Sequence, residues 1–392
     1  MELNLRKWQK EAFDAWQDND SKGIIEAATG SGKSFLFLEV IKKSNKKILI
    51  VVPTQHLMYQ HAELIKQYCN EEVGLVGDGH NELKRVTVAV INSVRESLWN
   101  IDILIGDECH RYFSDINRLL FNNNFRDVML LTATLERQDK KHLKFLEKYP
   151  LVYKIGQGEC IKNDWLCNYK IRNITIDLNE EEKKDYEEAD DYVKLHWYKF
   201  KSMGNILRSL YHPVARKLNS AIAKRKNIVC NSVNKIKYTV NLLEVTPDVK
   251  TIVFCEFKKT ANIIYKVMKT RMKIGLYHSG MKLDKRKIML EKFKNDEIKI
   301  IVAVKALDEG LDVENCERAI LLGGTSVKRQ FIQRIGRILR ASEDKTAEVI
   351  QLYIPDSKDE DWLRSRLEGI DESVVKVEWS KNQAVQETLP TL

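Results

Sequence analysis

The chain of 392 residues reads as an α/β protein of two lobes, each a parallel sheet covered by helices on both faces, with a helical insertion between them. Three observations predict this. Short apolar runs alternate with amphipathic stretches in the first 155 residues, and the same alternation returns after residue 250. Between them the pattern turns helical and its charge separates sharply.

In the first lobe the spacing predicts strands at 23–27, 48–52, 86–90, 101–105 and 128–131, with helices at 35–43 and 55–68. The opening residues MELNLRKWQKEAFDAW fit an amphipathic helix and lack the apolar core and cleavage site of a signal peptide. In the second lobe strands are expected at 251–255, 274–277, 298–304, 319–322 and 348–353. Residues 169–178, YKIRNITIDL, alternate as a half-exposed strand does. The stretch 180–191 holds eight acids and two lysines, whereas 212–238 carries seven Lys/Arg and no acid. The division predicted is a first lobe over 1–155, a second over 156–380 with the insertion at about 179–243, and a loose polar tail over 381–392.

Composition narrows the class. With 43% hydrophobic and 31% charged residues and no transmembrane run, the chain is expected to be a cytoplasmic protein without membrane contact. Its seven cysteines have no metal-ligand spacing and fit free thiols in a reducing compartment. The net charge of +9 mildly favours a polyanionic partner.

The chemistry lies in a few motifs. Ala27-Ala28-Thr29-Gly30-Ser31-Gly32-Lys33-Ser34 follows a strand and opens a helix, the context of a phosphate-cradling loop, although Ala27 stands where the strict pattern has Gly. Lys33 is placed to reach the β/γ-phosphates of ATP and Ser34 to ligate Mg²⁺, with Thr29, Gly30, Ser31 and Gly32 around the phosphates. A second strand delivers Asp107-Glu108 at its carboxyl end. Asp107 is the candidate Mg²⁺ ligand, and Glu108 the group that orients and deprotonates the attacking water. An Asp-Glu pair alone is more often a helix cap or surface turn; its distance from the phosphate loop favours chemistry.

DECH at 107–110, TAT at 132–134 and QRIGRILR at 333–340 resemble motifs II, III and VI of superfamily 2 helicases. VVPTQHLMYQ at 51–60, VAVINSV at 88–94, TIVFCEF at 251–257, YHSGM at 277–281 and VAVKALDEGLDV at 302–313 are similar to the motifs between. The resemblance spans roughly residues 3–355 and implies two RecA-like lobes that use ATP and Mg²⁺. It implies that Arg337 and Arg340 act as arginine fingers and that Gln333 meets the γ-phosphate or its water; on a helix these three share a face. It also implies adenine contacts by Arg6 and Gln9 in LRKWQKEA, and cleft positions for Gly310 and Asp312.

The same resemblance places a nucleic-acid strand against Pro53, Thr54, Gln55, Asn92, Ser93, Lys258, His278, Lys305 and Ser326, where a structural role is an equal alternative for each. LLTATLERQD at 130–139 and the helical insertion are similar to the XPB and UvsW group, with Arg137-Gln138-Asp139 departing from the group's Arg-Glu-Asp. The expectation is a minimal, phage-encoded, monomeric DNA helicase, moving 3′ to 5′ on forked or branched DNA and driving branch migration, with RNA a weaker partner. The insertion is expected to be a thumb whose Lys224, Arg225 and Lys226 grip the DNA backbone, the alternative being that they pair with its acidic helix. Other readings are a duplex DNA or RNA translocase without strand separation, a restriction or chromatin-like motor, and a nucleic-acid scaffold with inactive lobes. No nuclease or methylase constellation is present in the sequence.

Overall fold

The computed structural model describes residues 3–28, 30–97, 99–136, 139–163, 165, 168–202, 213–304, 316–324, 346–368, 370 and 375–381. The main chain divides into two compact units between 165 and 168, beyond the boundary expected after residue 155. Residues 157–162 form a helix that stays with the first unit, where the Arg6 guanidinium donates to the Trp165 carbonyl at 3.2 Å.

The first unit holds strands β1 (Lys22–Ala27), β2 (Ile48–Val52), β3 (Val73–Gly77), β4 (His80–Asn81), β5 (Val86–Val90), β6 (Ile103–Gly106), β7 (Asp127–Thr132) and β8 (Leu151–Ile155). They lie in the order β4-β3-β5-β2-β6-β7-β1-β8, with only the short β3–β4 hairpin antiparallel. β2, β5, β6 and β7 are buried along their whole length, which is why they read as continuous apolar runs. Helices α1 (Lys7–Asp18), α2 (Ser34–Lys43) and α3 (Gln55–Cys69) pack their apolar stripes on this sheet. The indole N–H of Trp16 on α1 donates to the Val128 carbonyl at 2.9 Å, tying that helix to β7.

The second unit holds β9 (Asn168–Thr175), β10 (Thr251–Cys255), β11 (Ile274–His278), β12 (Ile300–Val304), β13 (Arg318–Leu321), β14 (Thr346–Tyr353) and β15 (Lys376–Lys381) in the order β11-β12-β10-β13-β14-β9-β15, all parallel. The half-exposed strand expected near 169–178 is β9: the Lys170 and Arg172 side chains are 41% and 34% exposed, and Tyr169 and Ile171 between them are buried. β9 lies inside the sheet, with Ile171 and Asn173 fully buried. The one polar side chain on its buried face is satisfied internally: Gln351 Nε2 donates to Asn173 Oδ1 at 3.0 Å, and Arg366 Nε donates to Gln351 Oε1 at 2.9 Å.

The insertion is helical, as expected, over Glu180–Ser202, Pro213–Cys230 and Val233–Val245. Tyr186, Ala189 and Val193 of its first helix are buried, as are Ala215, Leu218 and Val229 of its second. Glu182 closes the bundle from below: its carboxylate accepts from Val233 N at 2.8 Å and from the Ser232 hydroxyl at 3.3 Å.

Candidate functional site

In the first unit the candidate residues stand at the carboxyl ends of parallel strands, where open α/β sheets bind ligands. The strand order sets Asn92-Ser93 after β5, Pro53-Thr54 after β2, Asp107-Glu108 after β6, Thr132-Ala133-Thr134 at the end of β7, and the phosphate loop after β1. The register fixes this alignment, pairing Val52 with Val90, Val51 with Gly106 and Gly106 with Leu130.

The loop leading into α2 has the geometry of an anion cradle. Gly30 and Gly32 sit at φ 82° and 96°, a conformation that residues with a side chain rarely adopt. A Cβ on Gly32 would also lie 2.8 Å from the Gln9 amide nitrogen. No side chain caps the first turn of α2, so its amides remain suited to phosphate. The Ser31 hydroxyl is buried and has no partner among the described residues. The Lys33 ammonium donates to the Ala27 and Ala28 carbonyls at 2.9 and 3.3 Å, and Ser34 opens the helix. Thr29 lies outside the described residues.

Arg6 and Gln9 lie against this loop rather than at a distance from it. Arg6 donates to the Ser31 carbonyl at 3.1 Å and Gln9 Nε2 to the Gly32 carbonyl at 2.9 Å, while Gln9 Oε1 accepts from Arg6 N at 2.7 Å. A carboxamide carries two donor hydrogens and two acceptor lone pairs, so one of each remains for an adenine edge.

Asp107 is buried at 8% exposure. Its Oδ1 accepts from Glu108 N at 2.9 Å and its Oδ2 lies 2.9 Å from His61 Nε2. Burial pushes the Asp107 carboxyl up, but the His61 bond, the nearby Lys33 charge and the Glu108 amide together hold it below the ordinary aspartate range. An ionised oxygen pair beside the phosphate loop and the Ser34 hydroxyl is a donor set that suits Mg²⁺. Glu108 sits in the left-handed region at φ 53°, the kind of strain that collects at functional turns. Its Oε2 is 3.3 Å from His110 Nδ1, and that same nitrogen is 3.1 Å from the Thr132 hydroxyl. Motifs II and III are thereby joined through one imidazole.

Two residues at this site have no part in the motifs that mark it in the sequence. The Tyr112 hydroxyl donates to the Val51 carbonyl at 2.6 Å and also meets the Asp107 carbonyl; its ring fills the space left by Gly106, whose absent Cβ would lie 2.8 Å from it. His61 has a visible signal. It is the one titratable side chain on the buried stripe of α3, among Leu57, Met58, Ala62 and Ile65.

On the nucleic-acid side, Thr54 caps α3 by accepting from Leu57 N at 3.3 Å, and Gln55, Asn92 and Ser93 are exposed beside it. In the second unit Lys258 and His278 converge: both approach within 3.1 Å of the position a Cβ on Gly280 would take. Burial, then the charges of Lys258 and Arg286, push the His278 imidazole below its usual value. Arg286 is a further basic residue at this spot, outside the motifs that mark the track in the sequence. Lys305, Gly310, Asp312, Ser326, Gln333, Arg337 and Arg340, with Arg137-Gln138, lie outside the described residues.

Three basic residues of the insertion make ion pairs within the protein. Lys224 lies 2.8 Å from Asp185 and 3.5 Å from Glu188, Arg225 pairs with Asp190, and Lys226 lies 2.7 Å from the buried Glu256. These pairs match the alternative reading, in which the basic residues pair with the acidic helix; Lys224 is at the same time 43% exposed. The acidic helix packed beside them supplies the counter-ions of Lys224 and Arg225, and Glu256 that of Lys226.

Among the described residues no helix is long and apolar enough to cross a membrane, no metal-ligand cluster of three or more His, Cys, Asp or Glu occurs, and six cysteines are free thiols. Residues 2–137 match the family described as type III restriction enzyme, res subunit, and residues 234–342 match the helicase conserved C-terminal domain. The chain is 33% identical over 382 residues to the DNA 3′-5′ translocase XPB2 of Sulfurisphaera tokodaii, covering 93% of this chain and 85% of that one. It is 24% identical to helicase 22 of Sulfolobus islandicus filamentous virus, with 88% of this chain and 63% of that protein covered. Its fold is similar to that of Saccharomyces cerevisiae Dbp5 bound to RNA and ADP BeF3, with a TM-score of 0.66 at 14% identity over 96% of this chain and 89% of that one. The phosphate loop, the DECH carboxylates and the match to the C-terminal helicase domain, together with identity to XPB2 over nearly the whole chain, make this protein a member of the superfamily 2 helicases of the XPB group, an ATP-hydrolysing enzyme.

Proposed function

We propose that this enzyme is a DNA motor that moves 3′ to 5′ along one strand, drawing on ATP hydrolysis in the first lobe, and that it opens forked or branched DNA and drives branch migration. The observation that carries the reading is the row of candidate contacts along one sheet edge. Pro53–Gln55 and Asn92–Ser93 stand on strands adjoining the one that ends in Asp107 and Glu108 or next to it in the sheet. A motor needs its track and its chemistry on neighbouring strands, so that a small shift of one displaces the other. The DNA preference is supported by the likeness to XPB2; the RNA-bound Dbp5 likeness supports the fold alone.

In this reading Lys33 and the α2 amides hold the phosphates, Ser34 and Asp107 hold Mg²⁺, and Glu108 takes the proton of the attacking water. The Mg²⁺ ion supplies neutralisation of phosphate charge when bound. By resemblance, Gln333, Arg337 and Arg340 act on the γ-phosphate, with Gly310 and Asp312 assigned to the same nucleotide. Arg337→Ala is expected to lower kcat by about 10³–10⁵ while nucleotide affinity changes little, the pattern of a group that acts in the transition state. The DNA track comprises Pro53, Thr54, Gln55, Asn92, Ser93, Lys258 and His278, together with Lys305 and Ser326; Lys224, Arg225 and Lys226 are left out because acids already engage them.

The deciding experiment is ATPase activity with single-stranded, duplex, forked and four-way DNA and with RNA counterparts. It is joined to a displacement assay on strands blocked at either end. Stimulation by forks and junctions with displacement only of the 5′ block supports the proposal. Equal stimulation by plain duplex, with no strand separated, would leave a translocase that does not unwind, and no turnover on any polymer would leave a scaffold.

A further inference from the structure

The helix that begins at the proposed DNA contact ends its first two turns against the metal-binding carboxylate. α3 starts at Gln55, directly after Pro53 and the capping Thr54. Six residues on, about 9 Å along the helix axis, His61 Nε2 lies 2.9 Å from Asp107 Oδ2. The imidazole is 2% exposed, and its ring centre lies 4.8 Å from that of Phe37 on α2, the helix that opens at the phosphate loop. An ionised carboxylate only accepts hydrogen bonds, so Nε2 is the donor.

The other ring nitrogen shows what this residue is there for. His61 Nδ1 is buried without a partner among the described residues. A buried unsatisfied polar atom is unfavourable, and Leu or Met would fill the same place on an apolar stripe without it. What the imidazole adds over either is the bond to Asp107. The backbone of Asp107 is tied to the same segment, because Asp107 N donates to the Val51 carbonyl at 3.0 Å and the Tyr112 hydroxyl bridges Val51 and Asp107. Main chain and carboxylate are therefore both referred to the β2–α3 segment, from Val51 at one end to His61 at the other.

We propose that His61 is a positioning residue that fixes the Asp107 carboxylate for Mg²⁺ and carries the state of the 53–55 DNA contact to it. The proposal rests on the reading of Asp107 as the Mg²⁺ ligand. DNA held at Pro53–Gln55 sets α3, α3 sets the imidazole, and the imidazole sets which oxygen of Asp107 faces the ion. Partners that orient a ligating carboxylate are worth about 10- to 100-fold in metal affinity or activity.

The test is calorimetric Mg²⁺ binding to the full chain loaded with a non-hydrolysable ATP analogue, together with its ATPase titrated with Mg²⁺ with and without saturating single-stranded DNA, for the native protein, His61→Leu and His61→Gln. Weaker Mg²⁺ binding by His61→Leu is expected, and native binding would overturn the proposal. His61→Leu is expected to raise the Mg²⁺ concentration for half-maximal rate about 10-fold or more and to erase most of the stimulation by DNA. His61→Gln, which keeps an N–H donor at similar reach, should recover most of both. A folded His61→Leu enzyme with native Mg²⁺ dependence and native DNA stimulation would overturn the proposal. So would a folded His61→Gln enzyme as impaired as His61→Leu, since the donor would then not be what matters; this arm decides the question if the leucine variant fails to fold. Asp107→Ala separates the two layers. If it still hydrolyses ATP, the underlying reading of the site fails; if it does not, a native-like His61→Leu enzyme sinks only the positioning role.

Discussion

Each lobe buries an aspartate near the carboxyl end of its sheet, and the two are partnered in opposite ways. Asp107 in the first lobe meets an imidazole and one backbone amide. Asp359 in the second is fully buried, ion-paired with the equally buried Lys235, and accepts from Ile354 N at 3.1 Å. Lys235 also donates to the Leu322 carbonyl at 2.8 Å, fastening the end of β13. An ammonium in contact with Asp359 Oδ2 ties that carboxylate to the fold. Among the described residues Asp107 has no ammonium in contact: its Oδ2 meets a ring nitrogen and its Oδ1 a backbone amide. Burial alone therefore does not separate a structural carboxylate from a chemical one; the kind of group in contact with it does.

That contrast can be broken most decisively at the first lobe. Glu108→Gln keeps the shape of the turn and removes the proton acceptor, so hydrolysis should fall by about 10²–10⁴ while ATP still binds and the melting temperature holds. Near-native steady-state turnover would remove Glu108 from its role. Asp107→Asn should likewise lose activity without losing the fold, as should Lys33→Ala.

At Asp359 the signature is expected to reverse. Lys235→Met strands a buried carboxylate and should cost about 3–5 kcal/mol of stability in urea unfolding. Adding Asp359→Asn should recover part of that loss. A Lys235→Met protein as stable as the native one would erase the distinction between the two aspartates.

A third carboxylate lies between these extremes. Burial pushes the Glu348 carboxyl up, but bonds from Arg172 and Arg318 hold it below the ordinary glutamate range. Its folded value is thus the lower one, so its contribution is complete above the unfolded value, about 4.3, and is lost as the pH falls through the folded value. Glu348→Gln should flatten the acid limb of the stability curve of the second lobe. Unfolding midpoints between about pH 3 and 6 would check this, and an unchanged limb would mean that other carboxylates govern it.

The smallest effect is expected at Lys224, an exposed side chain between Asp185 and Glu188. Lys224→Ala should leave the slope of log DNA affinity against log salt nearly unchanged, whereas a side chain that neutralises a phosphate would take about 0.7–0.9 off that slope when removed. A drop of that size would return the insertion to the DNA track.

What the sequence disclosed follows from what is local. The phosphate loop, the Asp107-Glu108 pair and the fully buried strands are contiguous words, readable because one segment carries all their chemistry. β3, with two glycines in five residues, and the exposed edge strand β8 lack the apolar run that marks a buried strand. β15 is polar and fell within what looked like the approach to a loose tail. His61 meets Asp107 46 residues away and Tyr112 meets Val51 61 residues away; the stripe of α3 marks His61 as buried, but no local pattern names either partner. The basic run shows the converse: its charge is plain in the sequence, but its partners Asp185, Asp190 and Glu256 lie 30 or more residues away.

The placement of β9 bears on how the protein is made. β9 (Asn168–Thr175) lies between β14 (Thr346–Tyr353) and β15 (Lys376–Lys381), so both of its neighbours are synthesised long after it. At about 5–20 residues per second, some ten to forty seconds separate the emergence of β9 from that of β15. The first lobe has all its described strands by Ile155 and can fold during that interval. β9 cannot, and it waits with both hydrogen-bonding edges open, a state in which a strand readily pairs with another chain. Conditions that slow translation or raise nascent-chain density should therefore harm the yield of the second lobe before that of the first.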